Sequence, residues 1–137
     1  MRIELGYPDP KAERALLTGQ SRYKLIESLS VQLQPEQLQK MQDLVTKVHT
    51  SDALLDYCQA IITFTRESSE YHCGLSPRAG LALLSAAKAW AFLELRDAVI
   101  PEDIQAVLAA VAGHRLRSGS TDSEAIVAPI LAKVAVF

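Results

Sequence analysis

The sequence has few cysteines and no long apolar run. Cys58 and Cys73 are the only cysteines among 137 residues, too few for the disulfide framework of a small secreted domain. No segment approaches the roughly 18 consecutive apolar residues of a membrane span, and the N-terminus lacks the apolar stretch of a signal peptide. We therefore expect a cytoplasmic domain with two reduced thiols and no membrane span.

An excess of positive charge is also absent. The chain carries 14 basic and 16 acidic side chains, a net charge of -2, so it offers no strongly basic surface to nucleic acid. A helix-turn-helix nucleic-acid binder using Arg96, Arg115 and Arg117 is disfavoured for this reason. With 49% hydrophobic and 22% charged residues, the composition is that of one folded globular domain.

Signatures of nucleotide hydrolysis are missing as well. The sequence has no Gly-x-x-x-x-Gly-Lys-Ser/Thr phosphate loop and no apolar run ending in an acidic pair that could hold magnesium. The histidines and cysteines lie at no recognised metal spacing. His72 beside Cys73 suggests a thiol nucleophile, but no third group positions it. We therefore expect the isolated chain to bind no nucleotide, magnesium or other metal and to catalyse no reaction.

Apolar residues recur at helical spacing along most of the chain. The capping signals Asp9-Pro10, Thr50-Ser51-Asp52 and Ser76-Pro77 mark helix starts. They predict helices from 9 to about 19, from 35, over about 52–69, from 76 to about 96, from 101 and over about 122–135, with mostly loop and a short helical turn at 20–34.

The periodicity also predicts which residues form the core. The helix after Ser76 is apolar on nearly every face, so it should occupy the centre of the domain with Trp90 buried. The other candidate core residues are Leu38, Met41, Val45, Val48, Leu54, Leu55, Cys58, Ile61, Ile62, Ile104, Val107, Leu108, Val111, Ile126, Ile130, Leu131 and Val134.

The N-terminus follows a different pattern. Ile3 and Leu5 alternate with charged residues before Gly6 and Pro8, which predicts a short strand. A lone strand has no partner here, which suggests a segment cut from a longer protein. The predicted fold is all-α, a small helical bundle with a short N-terminal strand. We assign residues 1–8 to strand and linker, 9–117 to the helical domain, and 118–137 to a linker and a last helix packed on it.

The segment Gly74-Leu75-Ser76-Pro77-Arg78-Ala79 is the strongest candidate for function. It places Arg78 in the first turn of a helix, where free backbone N–H groups and the helix dipole attract anions. A guanidinium can hold a phosphate with two hydrogen bonds and keeps its charge. From these residues alone, a solvated arginine at a well-capped helix start is the simpler interpretation.

Several segments, in order, resemble the lid domain of the MoxR branch of AAA+ ATPases over most of residues 3–117. They are Gly6-Tyr7-Pro8-Asp9-Pro10, Val48-His49-Thr50-Ser51-Asp52-Ala53-Leu54, Thr65-Arg66-Glu67, Gly74-Leu75-Ser76-Pro77-Arg78-Ala79, Arg96-Asp97-Ala98-Val99-Ile100-Pro101-Glu102-Asp103-Ile104 and His114-Arg115-Leu116. Ile100 and Leu75 depart from the family pattern, because a polar cap and a small residue are usual at these positions.

The resemblance implies a helical lid beside a nucleotide-binding α/β core, in a ring-forming, chaperone-like ATPase that remodels other proteins. It gives Arg78 the role of the sensor-two arginine, which contacts the terminal phosphate of ATP, and places Tyr7 near the adenine. ATP and magnesium would bind the parent protein rather than this chain alone. The implied partners are the missing core and neighbouring subunits. The alternative that we keep is a stand-alone helical protein-interaction module without nucleotide chemistry.

Overall fold

The fold is built from helices. The computed structural model describes residues 1–19, 22–116 and 122–136, with the backbone alone at Arg22. Within these ranges there is no sheet, and the all-α prediction is confirmed. The elements are α1 (Pro10–Thr18), α2 (Arg22–Glu27), α3 (Pro35–Thr46), α4 (Asp52–Glu67), α5 (Pro77–Leu93), α6 (Pro101–Leu108), a π-helix (Ala109–Gly113) that continues α6, and α7 (Ser123–Lys133).

Side-chain caps fix the helix starts where the sequence indicates them. The oxygens of Asp9, Ser51 and Ser76 accept hydrogen bonds from backbone N–H groups three residues later, at 2.7, 3.2 and 3.2 Å. Each bond satisfies a donor that the helix itself leaves free. Proline occupies the first turn of α1, α3, α5 and α6, where its missing N–H costs nothing.

The core lies among α4, α5, α6, the π-helix and α7. Helix α5 is central and packs against α3, α4, α6 and the π-helix. It approaches α4 closely at Gly80, where a Cβ atom would lie 2.5 Å from the Cδ1 atom of Ile62. The buried residues of α5 are spaced four apart and small in all but one position: Ala79, Leu83, Ala87 and Ala91.

The predicted burial of Trp90 is wrong, because its side chain is 40% exposed. The neighbouring helices cover the stripe of alanines on α5 and leave other apolar faces of the helix open. An apolar residue on every face of α5 therefore does not mean burial on every face. Leu55 and Leu131 were also predicted to be core, but they are 43% and 42% exposed. The same holds for Leu38 and Met41 of α3, which are 47% and 39% exposed.

The N-terminal strand does not form. Residues 1–9 adopt neither helix nor strand and are exposed, and α1 and α2 bury no described side chain. A lone strand has no neighbour to complete its hydrogen bonds. One backbone bond connects this arm to the domain: the N–H of Arg2 donates to the carbonyl of Ala110 in the π-helix at 2.7 Å.

Two contacts join the loops at one end of the domain. His49, before α4, and Ala98, before α6, form a short parallel bridge, in which His49 N–H donates to Asp97 and its carbonyl accepts from Val99. Next to it, the guanidinium of Arg96 donates to both carboxylate oxygens of Asp103, at 2.5 and 2.6 Å. The ends of α3, α5 and α6 are thereby held together.

Helix α7 packs on the π-helix and on α4. A Cβ atom on Gly113 would lie 2.6 Å from that of Ser123, so this contact requires glycine. The hydroxyl of Tyr71 donates to the carbonyl of Ile126 at 2.8 Å. The linker predicted before α7 and Arg117 lie outside the described residues.

Candidate functional site

The candidate site is the first turn of α5, which carries Arg78. The connection 68–76 leads into it from α4, and the last residue before its cap is held by two side chains. The N–H of Leu75 donates to the hydroxyl of Thr65 and its carbonyl accepts from Nε of Arg66, both at 3.0 Å. We call this arrangement the Leu75 clamp. Both backbone groups of one loop residue are therefore bound to consecutive residues of α4.

Glycine at position 74 allows the connection to lie directly against α4. A Cβ atom there would stand 2.7 Å from the carbonyl oxygen of Thr65 and 2.8 Å from the Cα atom of Arg66. Both atoms belong to the backbone of a helix and cannot move easily. Gly74 therefore brings Leu75 within hydrogen-bonding distance of the Thr65 and Arg66 side chains.

The first turn of α5 leaves one backbone donor without an acceptor. Pro77 has no N–H. The amide of Ala79 bonds to the hydroxyl and carbonyl oxygens of Ser76, and the amide of Gly80 bonds to the same carbonyl. Within the described ranges, the amide of Arg78 has no acceptor. A free amide at the positive end of a 17-residue helix favours an anion.

The guanidinium of Arg78 adds a full positive charge to this turn. The side chain is exposed, and no hydrogen bond or ion pair holds it among residues 1–19, 22–116 and 122–136. Exposed Arg78 can therefore meet a ligand or another protein surface without first breaking a contact. A phosphate group, with several acceptor oxygens and negative charge, suits both donors of this residue.

Tyr7, the second predicted site residue, lies in the N-terminal arm. Its side chain is fully exposed, and within the described parts of the chain no hydrogen bond or ring contact joins it to Arg78. The structure therefore does not bring the two predicted site residues together. Gly6, before it, has φ +66°, a conformation that turns the arm at this point and favours glycine.

The cysteines and histidines form no reactive group. Cys58 is buried, and burial raises the pKa of its thiol to about 11, which disfavours the reactive thiolate. Cys73 is exposed, and its Sγ contacts the carbonyl of Gly74. Among the described residues no group of histidines, cysteines and carboxylates could hold a metal ion. No described helix is long and apolar enough to cross a membrane.

Sequence reasoning missed the residues that support the turn. Thr65 is fully buried, although threonine between Phe64 and Arg66 gives no apolar signal. The buried ring of Tyr71 packs edge-on against Phe64, with centroids 6.3 Å apart. Burial, followed by the charge of Glu70, raises the pKa of Tyr71 to about 12, so it stays a hydrogen-bond donor. Thr65-Arg66 and Leu75 were both visible, as parts of separate motifs, but the contact between them was not.

Comparison with known proteins relates this helical domain to the lid domains of AAA proteins. Residues 63–130 match the family model of the AAA lid domain. The chain is 33% identical over 141 residues to the uncharacterized protein YeaC of Bacillus subtilis, covering 98% of the chain and 44% of YeaC. It is 30% identical over 126 residues to the chaperone MoxR1 of Mycobacterium tuberculosis, covering 84% of the chain and 32% of MoxR1.

A shorter sequence match and a solved structure point to the same group of proteins. Protein MoxR of Paracoccus denitrificans is 54% identical over 43 residues, 31% of the chain and 13% of that protein. A crystal structure from Cytophaga hutchinsonii, of a protein assigned as an ATPase, superposes with a TM-score of 0.77 and 28% identity, covering all of the chain and 46% of that protein. The chain thus spans less than half the length of the relatives that it matches.

Proposed function

The chain carries the helical lid domain of a MoxR-like AAA+ ATPase, and from this premise we propose that Arg78 contacts the terminal phosphate of ATP bound by the ATPase core. The observation that carries the proposal is the first turn of α5, where an exposed guanidinium and a free amide belong to the same residue. The family relationship suggests ATP as the ligand, and the first turn of α5 has N–H donors that suit a phosphate.

The residues present fit a phosphate and do not fit the rest of a nucleotide site. The sequence has no phosphate loop and no apolar run ending in an acidic pair that could hold magnesium, so the core would provide both. When ATP is hydrolysed, its terminal phosphoryl group is transferred. The oxygens of that group carry negative charge in the transition state. Arg78 contributes a fixed positive charge with several N–H donors, which stabilises that charge without a proton transfer.

The proposal extends to the whole protein. The lid would act with its own core and with neighbouring subunits of a ring, in a chaperone-like ATPase of the cytoplasm. The helical body packs as one unit around α5, so a movement of Arg78 toward or away from a phosphate would be passed to the surfaces of α3 and α7. Tyr7, in the arm, is proposed to approach the adenine.

A second candidate function rests on the apolar groove between α3 and the C-terminal half of α5. Leu38, Met41, Phe92 and Leu93 line it, and three of these side chains are more than a third exposed. Such a groove is typical of protein-interaction modules that bind an amphipathic helix. This alternative needs no nucleotide and leaves Arg78 without a role.

Substitution of Arg78 in the full-length protein separates the two candidates. We expect Arg78→Ala to lower ATP turnover by about 100-fold or more, the usual effect of removing a group that stabilises transition-state charge. The unfolding midpoint should not change, because the side chain is exposed. Lys40→Ala is the matched control, since Lys40 is an exposed cation of α3. Equal turnover of the Arg78 and Lys40 variants would favour the interaction module.

A further inference from the structure

We propose that Thr65 and Arg66 are positioning residues for Arg78, acting through the Leu75 clamp. The inference rests on the proposed role of Arg78 at the phosphate and deepens it. Two side chains at the end of α4 would thereby fix the position at which the first turn of α5 begins.

The first half of the clamp is the hydroxyl of Thr65. Thr65 is 0% exposed, and its hydroxyl donates to the carbonyl of Ile62 at 2.8 Å while it accepts from Leu75 N–H at 3.0 Å. Because the single proton is committed to Ile62, the oxygen is fixed as an acceptor toward Leu75. Valine has nearly the same shape and lacks both functions, and serine keeps both.

The second half is the guanidinium of Arg66. Its side chain is exposed, yet Nε donates to the carbonyl of Leu75 at 3.0 Å. Leu75 is 2% exposed, so its carbonyl has little access to water and takes its hydrogen bond from Arg66. Together with Thr65, this bond prevents the peptide groups on either side of Leu75 from rotating.

The path from the clamp to Arg78 is short and stiff. Leu75 has a buried side chain, Ser76 caps the helix, and Pro77 has a fixed φ angle. Two residues therefore separate the clamped position from Arg78, and they leave little freedom to the backbone that carries the Arg78 side chain. Displacement of a charge by about 1 Å at a reacting phosphate can cost roughly 100-fold in rate. A clamp on Leu75 limits displacement of the backbone from which the Arg78 side chain extends.

The test compares variants of the full-length protein in ATP turnover and in amide hydrogen exchange. Thr65→Val should lower kcat by about tenfold or more and should accelerate exchange in the segment 74–80. Thr65→Ser should restore both. Thr63→Val is the matched control, because Thr63 is an exposed residue of α4 two positions away, and it should change neither. Arg66→Met, at an exposed position, repeats the test if Thr65→Val does not fold.

A double variant distinguishes positioning from an independent structural effect. If Thr65 acts through Arg78, the loss in Thr65→Val with Arg78→Ala should equal the loss in Arg78→Ala alone. Losses that multiply would overturn the inference, as would faster exchange at 74–80 with undiminished turnover, while leaving the role of Arg78 intact. Unchanged turnover in Arg78→Ala alone would instead reject the proposed function, and the positioning role would fall with it.

Discussion

The carboxylate of Asp103 makes the half of a capping box that does not depend on the side chain of Ile100, the N-cap residue of α6. One oxygen of Asp103 accepts the backbone N–H of Ile100 at 2.9 Å, so α6 is capped from within its own first turn. The same carboxylate is 1% exposed and takes two hydrogen bonds from Arg96. The side chain of Ile100 accepts no hydrogen bond, so the start of α6 is held by Asp103 and, through it, by Arg96.

We predict that Asp103→Asn destabilises the protein at neutral pH by roughly 1.5–3 kcal/mol, since the bonds from Arg96 lose their charged acceptor. Chemical denaturation followed by circular dichroism measures this. Glu102→Gln in the same turn is the control, because Glu102 is exposed. Equal stability of the two variants would show that the buried pair adds nothing.

The same pair predicts a loss of stability in acid. Burial raises the pKa of Asp103, but the bonds from Arg96 and Ile100 outweigh it and hold the pKa below its ordinary value, about 3.9 in unfolded chains. A lowered pKa stabilises the fold above that value, and the contribution disappears as the pH falls through the pKa of the folded state. Asp103→Asn should flatten this part of the stability profile. An unaltered profile would assign acid unfolding to other carboxylates.

Two of the close glycine contacts, those of Gly74 and Gly80, predict different penalties. Gly74→Ala places a methyl group against backbone atoms of α4, whereas Gly80→Ala meets only the end of the Ile62 side chain, which can turn away. We expect Gly74→Ala to cost about 1–3 kcal/mol and Gly80→Ala to cost less. Thermal unfolding of both variants checks the order, and a larger effect at Gly80 would contradict it.

Half-exposed Trp90 should contribute less to stability than buried Leu83. Leu83 is 0% exposed, so Leu83→Ala should cost about 2–5 kcal/mol. Trp90→Ala should cost less than Leu83→Ala despite the larger side chain, and the fluorescence of this single tryptophan should be quenched by acrylamide in the folded protein. A Trp90 variant less stable than the Leu83 variant would restore the original prediction of a core tryptophan.

The two thiols should react at very different rates. Cys73 is exposed, while Cys58 is buried with a pKa of about 11. An alkylating reagent at neutral pH should modify Cys73 first and leave Cys58 until the protein unfolds. Mass spectrometry of the native protein should therefore show one added group. Rapid double labelling would indicate that α4 opens locally.

Local signals were sufficient to predict the helix starts, because Asp9, Ser51 and Ser76 act within three residues of themselves. They also placed Arg78 in an exposed first turn. The clamp was beyond such reasoning, since Thr65 meets Leu75 only after α4 and α5 pack together. The burial of Trp90 was predicted wrongly for a related reason. An apolar helix face can be buried, but it is buried only where a neighbouring helix packs against it, and the face of α5 with Trp90 is left half-exposed.

The π-helix at Ala109–Gly113 changes the direction in which the side chains after it point around the helix axis. A π turn holds one residue more than an α turn. In a continuous α-helix at about 100° per residue, Leu116 would point some 120° away from Ile104, yet both are buried. Removing the extra residue, by deletion of Ala110 for instance, would rotate Leu116 out of the core. Homologous sequences one residue shorter here are expected to bury a different side chain in place of Leu116.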